Sequence, residues 1–253
     1  MPDRGVRPWI PLLAALVLGI ALVAGTLVTT QSLNYIKTFN TSLLTVAGQA
    51  QVEVTSDQVK WTGDFFVNAA PDGLQPAYAQ MAKDQAAVAG FLASQGVPAA
   101  SITISPVALT QIYVDCAQNP AACKLGVGGY KLQQTVTVQS ADVQGITKVA
   151  QNVTPLVNQG VSFSTQSLEY YYTKLDTLRA KLLAQATAEA QQRAQQIATA
   201  TGRQVGQLVS VQTQPLQLTP LNSAQVSNNG QYDTTTIQKQ LTAIVQAQFR
   251  LPQ

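Results

Sequence analysis

Residues 43–67 read LLTVAGQAQVEVTSDQVKWTGDFFV. Leu44, Val46, Ala50, Val52 and Val54 alternate with polar neighbours, and after Ser56-Asp57 the residues Val59, Trp61, Phe65 and Val67 repeat the pattern. Alternation with a period of two gathers apolar side chains on one strand face, so the stretch is predicted as two half-buried strands joined by a turn, a hairpin. An apolar sheet face needs a cover. Pro71-Asp72-Gly73 open the next segment, where Leu74, Tyr78, Met81, Gln85, Val88, Phe91 and Leu92 recur at helical spacing, and that helix is the predicted cover.

Outward from this start the pattern repeats. Gly96-Val97-Pro98 stop the helix, Ile102 to Val114 read as extended chain, and Tyr130, Leu132, Val136 and Val138 alternate again. Ser140 or Asp142 can cap a second helix with the stripe Val143, Ile146, Val149, Val153 and Leu156, which Pro155 should kink or end before Gly160. Val161, Phe163 and Thr165 begin another strand. From Lys174 to Ala200 the chain turns Ala, Gln and Leu rich, a predicted long helix with the stripe Leu175, Leu178, Leu182, Ala186, Ala190 and Ile197 and with Gly202 at its C-cap. That stripe reads as intramolecular core or as a face shared between subunits. Val205 to Val211 give a strand, residues 212–236 a flexible Pro/Asn/Ser/Gln loop, and Leu241, Ala243, Val245, Ala247, Phe249 and Leu251 one face of a last strand. The fold class is α+β, with antiparallel sheets and helices on one face. The second through fifth strands form a ferredoxin-like β-α-β-β-α-β portion.

The N-terminus carries a different signal. Arg4 and Arg7 precede an apolar run from Trp9 to Val28 without a charge; about 20 helical residues at about 1.5 Å each match the roughly 30 Å hydrocarbon thickness of a bilayer. Two readings stand. One is an uncleaved transmembrane signal anchor; the other is a cleaved signal peptide with Pro11 to Leu22 as its apolar region, releasing the chain to the periplasm. Val23-Ala24-Gly25 is a poor A-x-A site and the run is long for a signal core, which favours the anchor. The organisation is then a cytoplasmic N-terminus over 1–8, a membrane span over 9–28, a stalk over 29–42 and one α+β domain over 43–253. The arginines hold the short N-terminal side in the cytoplasm and place the bulk of the chain in the periplasm or extracytoplasmic space.

Composition removes most chemistry. The 253 residues include no histidine, which eliminates the commonest general base, the commonest metal ligand and every Ser-His or Cys-His dyad. No phosphate-cradling Gly-rich loop follows a strand and no carboxylates pair at a recognisable spacing. A net charge of +3, from 15 Lys+Arg against 12 Asp+Glu, is too small and dispersed for nucleic acid. The reading is therefore of a protein that is not an enzyme, with no catalytic, metal or cofactor site. Cys116 and Cys123 enclose Ala-Gln-Asn-Pro-Ala-Ala. In an oxidising compartment they read as a disulfide stapling a hairpin tip, contributing about 2–3 kcal/mol if unstrained. Free thiols are a second reading. A redox or metal role is a third, disfavoured by the spacing and the lack of further ligands.

Several separated segments resemble the SIMPL-domain family, found mostly in bacterial envelopes. Val46, Gly48, Ala50, Val52, Val54, Ser56 and Asp57 are similar to its opening alternation of Val, Gly and Val ending in Pro-Asp, with Ala50 in place of a Gly and Ser56 in place of a Pro. Gly96-Val97-Pro98 with Ile102-Thr103 resembles its Gly-Ile-Pro and Ile-x-Thr, Gly129-Tyr130 with Thr135 to Val138 its Gly-Tyr strand, and Leu178 to Gly202 running into Gly206 and Val209 its Ala-rich helix. The resemblance covers Leu43 to Val211; the cysteine loop and the 212–236 insert are particular to this chain. It implies a periplasmic or envelope protein linked to oxidative-stress tolerance or known as a surface antigen, with one ring-like, channel-shaped oligomer among the relatives. It supplies no catalytic residues.

Three features remain. Tyr170-Tyr171-Tyr172 reads as an interaction surface or aromatic platform, with a radical-scavenging role as the sharper alternative and packing of at least one ring as the blander one. Glu169, Lys174 and Asp176 read as an acid-base group or as helix caps and dipole partners. Asn40-Thr41-Ser42 and Asn152-Val153-Thr154 match the short glycosylation pattern. The expected function is a membrane-anchored, extracytoplasmic protein acting by homo-oligomeric assembly and protein interaction, in envelope maintenance or stress tolerance. The alternative is a small-ligand or peptide-binding module built around the sheet and the long polar loop.

Overall fold

A computed structural model describes residues 43–114, 126–223 and 230–252. The run 9–28, the stalk 29–42, Asn40, Cys116 and Cys123 lie outside them, and no helix among the described residues is long and apolar enough to cross a membrane. The strands are β1 (Leu43–Thr55), β2 (Gln58–Ala69), β3 (Ile102–Ile104), β4 (Ala108–Tyr113), β5 (Val127–Ser140), β6 (Phe163–Tyr171), β7 (Leu208–Thr213), β8 (Gln217–Pro220) and β9 (Gln238–Arg250). The helices are α1 (Leu74–Ser94), α2 (Val143–Gln151), α3 (Thr154–Asn158) and α4 (Leu175–Ala200). The protein is α+β with antiparallel sheets. Two compact units divide the described chain: residues 49–186 with 213–245, and residues 43–48 with 187–212 and 246–252. β1, α4 and β9 each contribute to both.

The larger unit holds a five-stranded sheet of order β3-β5-β2-β6, with β4 also on β5. β3 and β4 take successive stretches of the same partner, Ile102 opposite Val138 and Ala108 opposite Gln133. The sequence predicts one extended run here; the structure breaks it at Ser105-Pro106, where proline has no amide to give. Ser105 bridges the break, its amide donating to Thr135 O and its hydroxyl accepting from Thr135 N, both at 2.9 Å. Read along the chain, β2, α1, β3/β4, β5, α2 and β6 are the ferredoxin-like portion, with β2 and β5 central. Val59, Trp61 and Phe65 of β2 and Leu132, Val136 and Val138 of β5 share one core with Met81 and Val88 of α1 and Ile146 and Val149 of α2. One face of the sheet is therefore helix-covered. Each large side chain so enclosed contributes about 1.5–3 kcal/mol from apolar burial.

Helix ends follow local chemistry. Of the two candidate caps for α2, Asp142 takes the role, accepting from Gly145 N at 2.9 Å, while its own amide donates to Ser140 Oγ. Pro155 ends that helix as expected and sits in the first turn of α3. Gly96 and Gly160 adopt φ of 76° and 87°, the left-handed region a side chain disfavours. Each is followed by a buried valine whose amide reaches back to the helix, Val97 to Leu92 O and Val161 to Leu156 O. Tyr78 and Gln85, placed on the buried stripe of α1 by spacing, are exposed; Ala77 and Asp84 hold those turns.

The predicted β1–β2 hairpin does not form. β1 pairs with β9, in a four-stranded sheet of order β1-β9-β7 with β8 also on β9, whereas both edges of β2 are taken by β5 and β6. The two linking residues show why. Ser56 N donates to Ile237 O at 2.8 Å, just before β9, and Asp57 N to Tyr171 O at 2.9 Å, at the end of β6, so these amides bond distant segments instead of closing a turn. The stretch predicted as loop over 212–236 extends β7 to Thr213 and contains β8, which pairs Gln217 with Thr242 and Pro220 with Lys239.

In the smaller unit the chain turns back after α4 so that Gly206 N donates to Arg250 O at 2.7 Å and Arg250 N to Gln207 O at 2.9 Å. Arg193 of α4 donates to Ala47 O at 3.3 Å. The buried residues of α4 are Leu182, Ala186, Ala190, Ala194 and Ala198, spaced by four throughout; Ile197, placed on the stripe by the sequence reading, is exposed. A row with that spacing winds around a helix of 3.6 residues per turn, which is why a fixed-face reading misplaces its end.

Candidate functional site

β6 runs antiparallel to β2 with Val59 opposite Tyr170 and Gln58 opposite Tyr171. Successive strand residues face opposite ways, so the tyrosine triplet is divided by geometry. Tyr170 turns to the helix-covered face and is 7% exposed. Its hydroxyl lies 3.1 Å from Thr147 Oγ1, and because that threonine gives its own proton to Val143 O, Tyr170 is the donor. Tyr171 turns to the other face, where its hydroxyl donates to Glu169 Oε2 at 2.9 Å. Lys60 Nζ stands 3.8 Å from the same carboxylate oxygen. The hydrogen bond to Glu169, followed by burial and the negative charge beside it, raises the Tyr171 phenol above its usual range.

Tyr171 and Tyr172 form one wall of a groove of about 460 Å³ with Gln58, Val59, Lys60, Gln139, Thr173 and Tyr232. Tyr232 comes from the segment Gly230 to Ile237, and its ring centroid is 6.4 Å from that of Tyr171. Its hydroxyl donates to Tyr172 O at 3.0 Å. The segment is tied at several points: Leu218 N to Gln231 O (2.7 Å), Asp233 N to Leu218 O (2.8 Å) and Tyr170 N to Thr234 O (2.8 Å). A buried ion pair fixes it further. Lys239 Nζ donates to both Oδ2 and the carbonyl of Asp233 at 2.7 Å, with side-chain exposures of 0% and 6%. Desolvation pushes the Asp233 carboxyl up, but the bonds from Lys239, Thr236 and Thr235 outweigh it and hold the group well below the usual carboxylate range.

Glu169, Lys174 and Asp176 do not meet as one group. Glu169 serves Lys60 and Tyr171; Lys174 stands 3.8 Å from Asp57 Oδ2; Asp176 stands 3.6 Å from Arg179. Asp57 also accepts from Thr173 N and Oγ1, at the entry to α4. Asn152 closes α2, its amide donating to Val149 O. The sequence reading missed Tyr232, Asp233 and Lys239. The signal was present: Lys239 falls in phase with Leu241, Ala243 and Val245, and a lysine in register with a buried strand face requires a buried partner.

The fold and this groove define an α+β protein whose larger unit is a ferredoxin-like layer carrying an aromatic, polar-lined cleft at one end of the sheet, on the Tyr171 side. The family model that matches residues 44–249 is SIMPL, described as a protein of unknown function (DUF541), and the chain belongs to that family. No curated protein matches it.

Proposed function

We propose that this chain is a non-enzymatic assembly and interaction protein, tethered by Trp9 to Val28 on the extracytoplasmic side of the membrane, with envelope maintenance or oxidative-stress tolerance as its setting. What supports assembly is the outer edge of β4. Strand Ala108–Tyr113 is exposed along its whole length, presents Leu109, Ile112 and Tyr113 (68% exposed) to solvent, and has no charged residue through Val114. Edge strands are ordinarily protected by lysine, proline or cover, because unpaired backbone groups template another strand. The occupant is a second copy of this chain. An uncharged strand can pair antiparallel with its own copy about a two-fold axis without like charges meeting. β7 repeats the pattern at the edge of the other sheet, with Leu208, Val209 and Val211 exposed.

The test is light scattering on the full chain in detergent. The native chain is expected to run as a multimer, and Thr110→Lys with Ile112→Lys to reduce the mass while preserving the circular-dichroism spectrum. A monomer at every concentration removes the proposal.

A second reading, a module for a small ligand or peptide, is favoured by the tyrosine groove. Its general test is protection of Tyr171, Tyr172 and Tyr232 from surface modification by any candidate envelope ligand.

A further inference from the structure

The groove at Tyr171, Tyr172 and Tyr232 has a lining that restricts what it can hold. Several backbone groups at the tyrosine wall are already bonded. Tyr170 N is bonded to Thr234 O, Tyr171 O accepts from Asp57 N, Thr173 N donates to Asp57 Oδ1, and Tyr172 O accepts from Tyr232. These groups cannot receive a peptide main chain by strand addition, which depends on free N–H and C=O groups. The charges are matched as well. Lys60 faces Glu169 and Lys174 faces Asp57, so neither an anion nor a cation finds an uncompensated partner.

What remains on offer is ring surface and neutral hydrogen-bonding side chains. Tyr232 is exposed and Tyr171 and Tyr172 are half-buried, and the Tyr171 and Tyr232 rings are inclined at 35° to each other. Gln58 and Gln139 carry no side-chain hydrogen bond among the described residues. Each carboxamide presents a donor and an acceptor side by side. Vicinal hydroxyls are also both donors and acceptors and satisfy such a pair fully; a proline-rich backbone supplies acceptors only and leaves the glutamine oxygens unpaired. Amphipathic rings with an apolar body fit the C–H face of a sugar ring.

We propose that this groove binds a neutral oligosaccharide, which stacks on Tyr171, Tyr172 and Tyr232 and exchanges hydrogen bonds with Gln58 and Gln139. The proposal rests on the second reading above and narrows it. The segment Gly230 to Ile237 supplies the second wall, and the Asp233–Lys239 pair is its positioning device. Tyr232 holds its place because the residue next to it is anchored to β9.

The experiment uses the full chain in an amine-oxide detergent, since maltoside headgroups would compete. Cellotriose, maltotriose and triacetylchitotriose are the neutral probes, with trigalacturonate and a proline-rich peptide as contrasts. Binding is read by saturation-transfer NMR and by calorimetric titration. At least one neutral trisaccharide is expected to bind, and Tyr232→Ala and Gln139→Ala each to weaken it by about tenfold or more. Gln139 is exposed, so its variant keeps the fold intact. Failure of all neutral probes, or binding that both variants leave unchanged, overturns the proposal. If the peptide or trigalacturonate alone binds and depends on Tyr232, the oligosaccharide is wrong and the ligand-module reading survives; if no probe depends on Tyr232 or Gln139, both fall.

Discussion

Lys239 has its ammonium group fully enclosed, held by two oxygens of a single residue, Asp233. Removing one member of a buried pair strands the other, at a cost of about 3–5 kcal/mol, whereas removing both costs less. Lys239→Met is therefore expected to lower the urea midpoint strongly, and the added change Asp233→Asn to recover part of the loss. The pH dependence has a definite sign. The folded Asp233 carboxyl titrates below its unfolded counterpart, so the unfolded chain takes up the proton first as pH falls. The pair's contribution is then whole above the unfolded value of about 3.9 and is lost as acid carries the pH down through the lower folded value. The stability gap between the native chain and Asp233→Asn should stay constant from neutral pH to about pH 5 and close below about pH 4; a gap that changes between pH 7 and 5 contradicts this assignment.

At the scale of elements, the strands and helices were readable wherever a single period persisted. The alternation in β2, β5 and β9 and the stripe of α2 locate most of the core, because one buried face imposes one period, while in α1 Ala77 and Asp84 take the places given to Tyr78 and Gln85. Partners were not readable. Ser56-Asp57 resembles a hairpin turn, and only the distant acceptors Ile237 O and Tyr171 O reveal that the chain passes between sheets. β8 escaped notice because its residues lie in a polar, proline-containing stretch and owe their order to β9. The tyrosine triplet was visible, but the third wall of the groove, Tyr232, comes from a segment with no periodic pattern. Gly129 illustrates a motif whose cause is tertiary: a Cβ there would approach Ala69 O of β2 to 2.6 Å. Gly129→Ala is expected to destabilise by about 1–3 kcal/mol in thermal or urea unfolding, since the obstacle is backbone and cannot rotate away; an unchanged midpoint would show that the two strands part freely.

At the scale of the whole molecule, the surfaces that the core leaves free are the places for the proposed function. The helix-covered face of the five-stranded sheet is consumed by the core, and the proposed contacts with a second copy and with a ligand fall instead on the edge of β4 and in the tyrosine groove. These two uses are separable, because β4 lies across β5 and β2 from β6. Lysine in β4 should abolish assembly and leave ligand binding intact, and Tyr232→Ala should do the reverse. The claim that β4 is a subunit contact is tested most directly by amide hydrogen exchange of the full chain as a function of protein concentration. Protection at Leu109 to Tyr113 is expected to rise with concentration, together with the mass by light scattering, and to disappear in Ile112→Lys. Amides in that strand whose exchange is independent of concentration, in a chain that scatters as a multimer, would place the contact elsewhere and rule out β4.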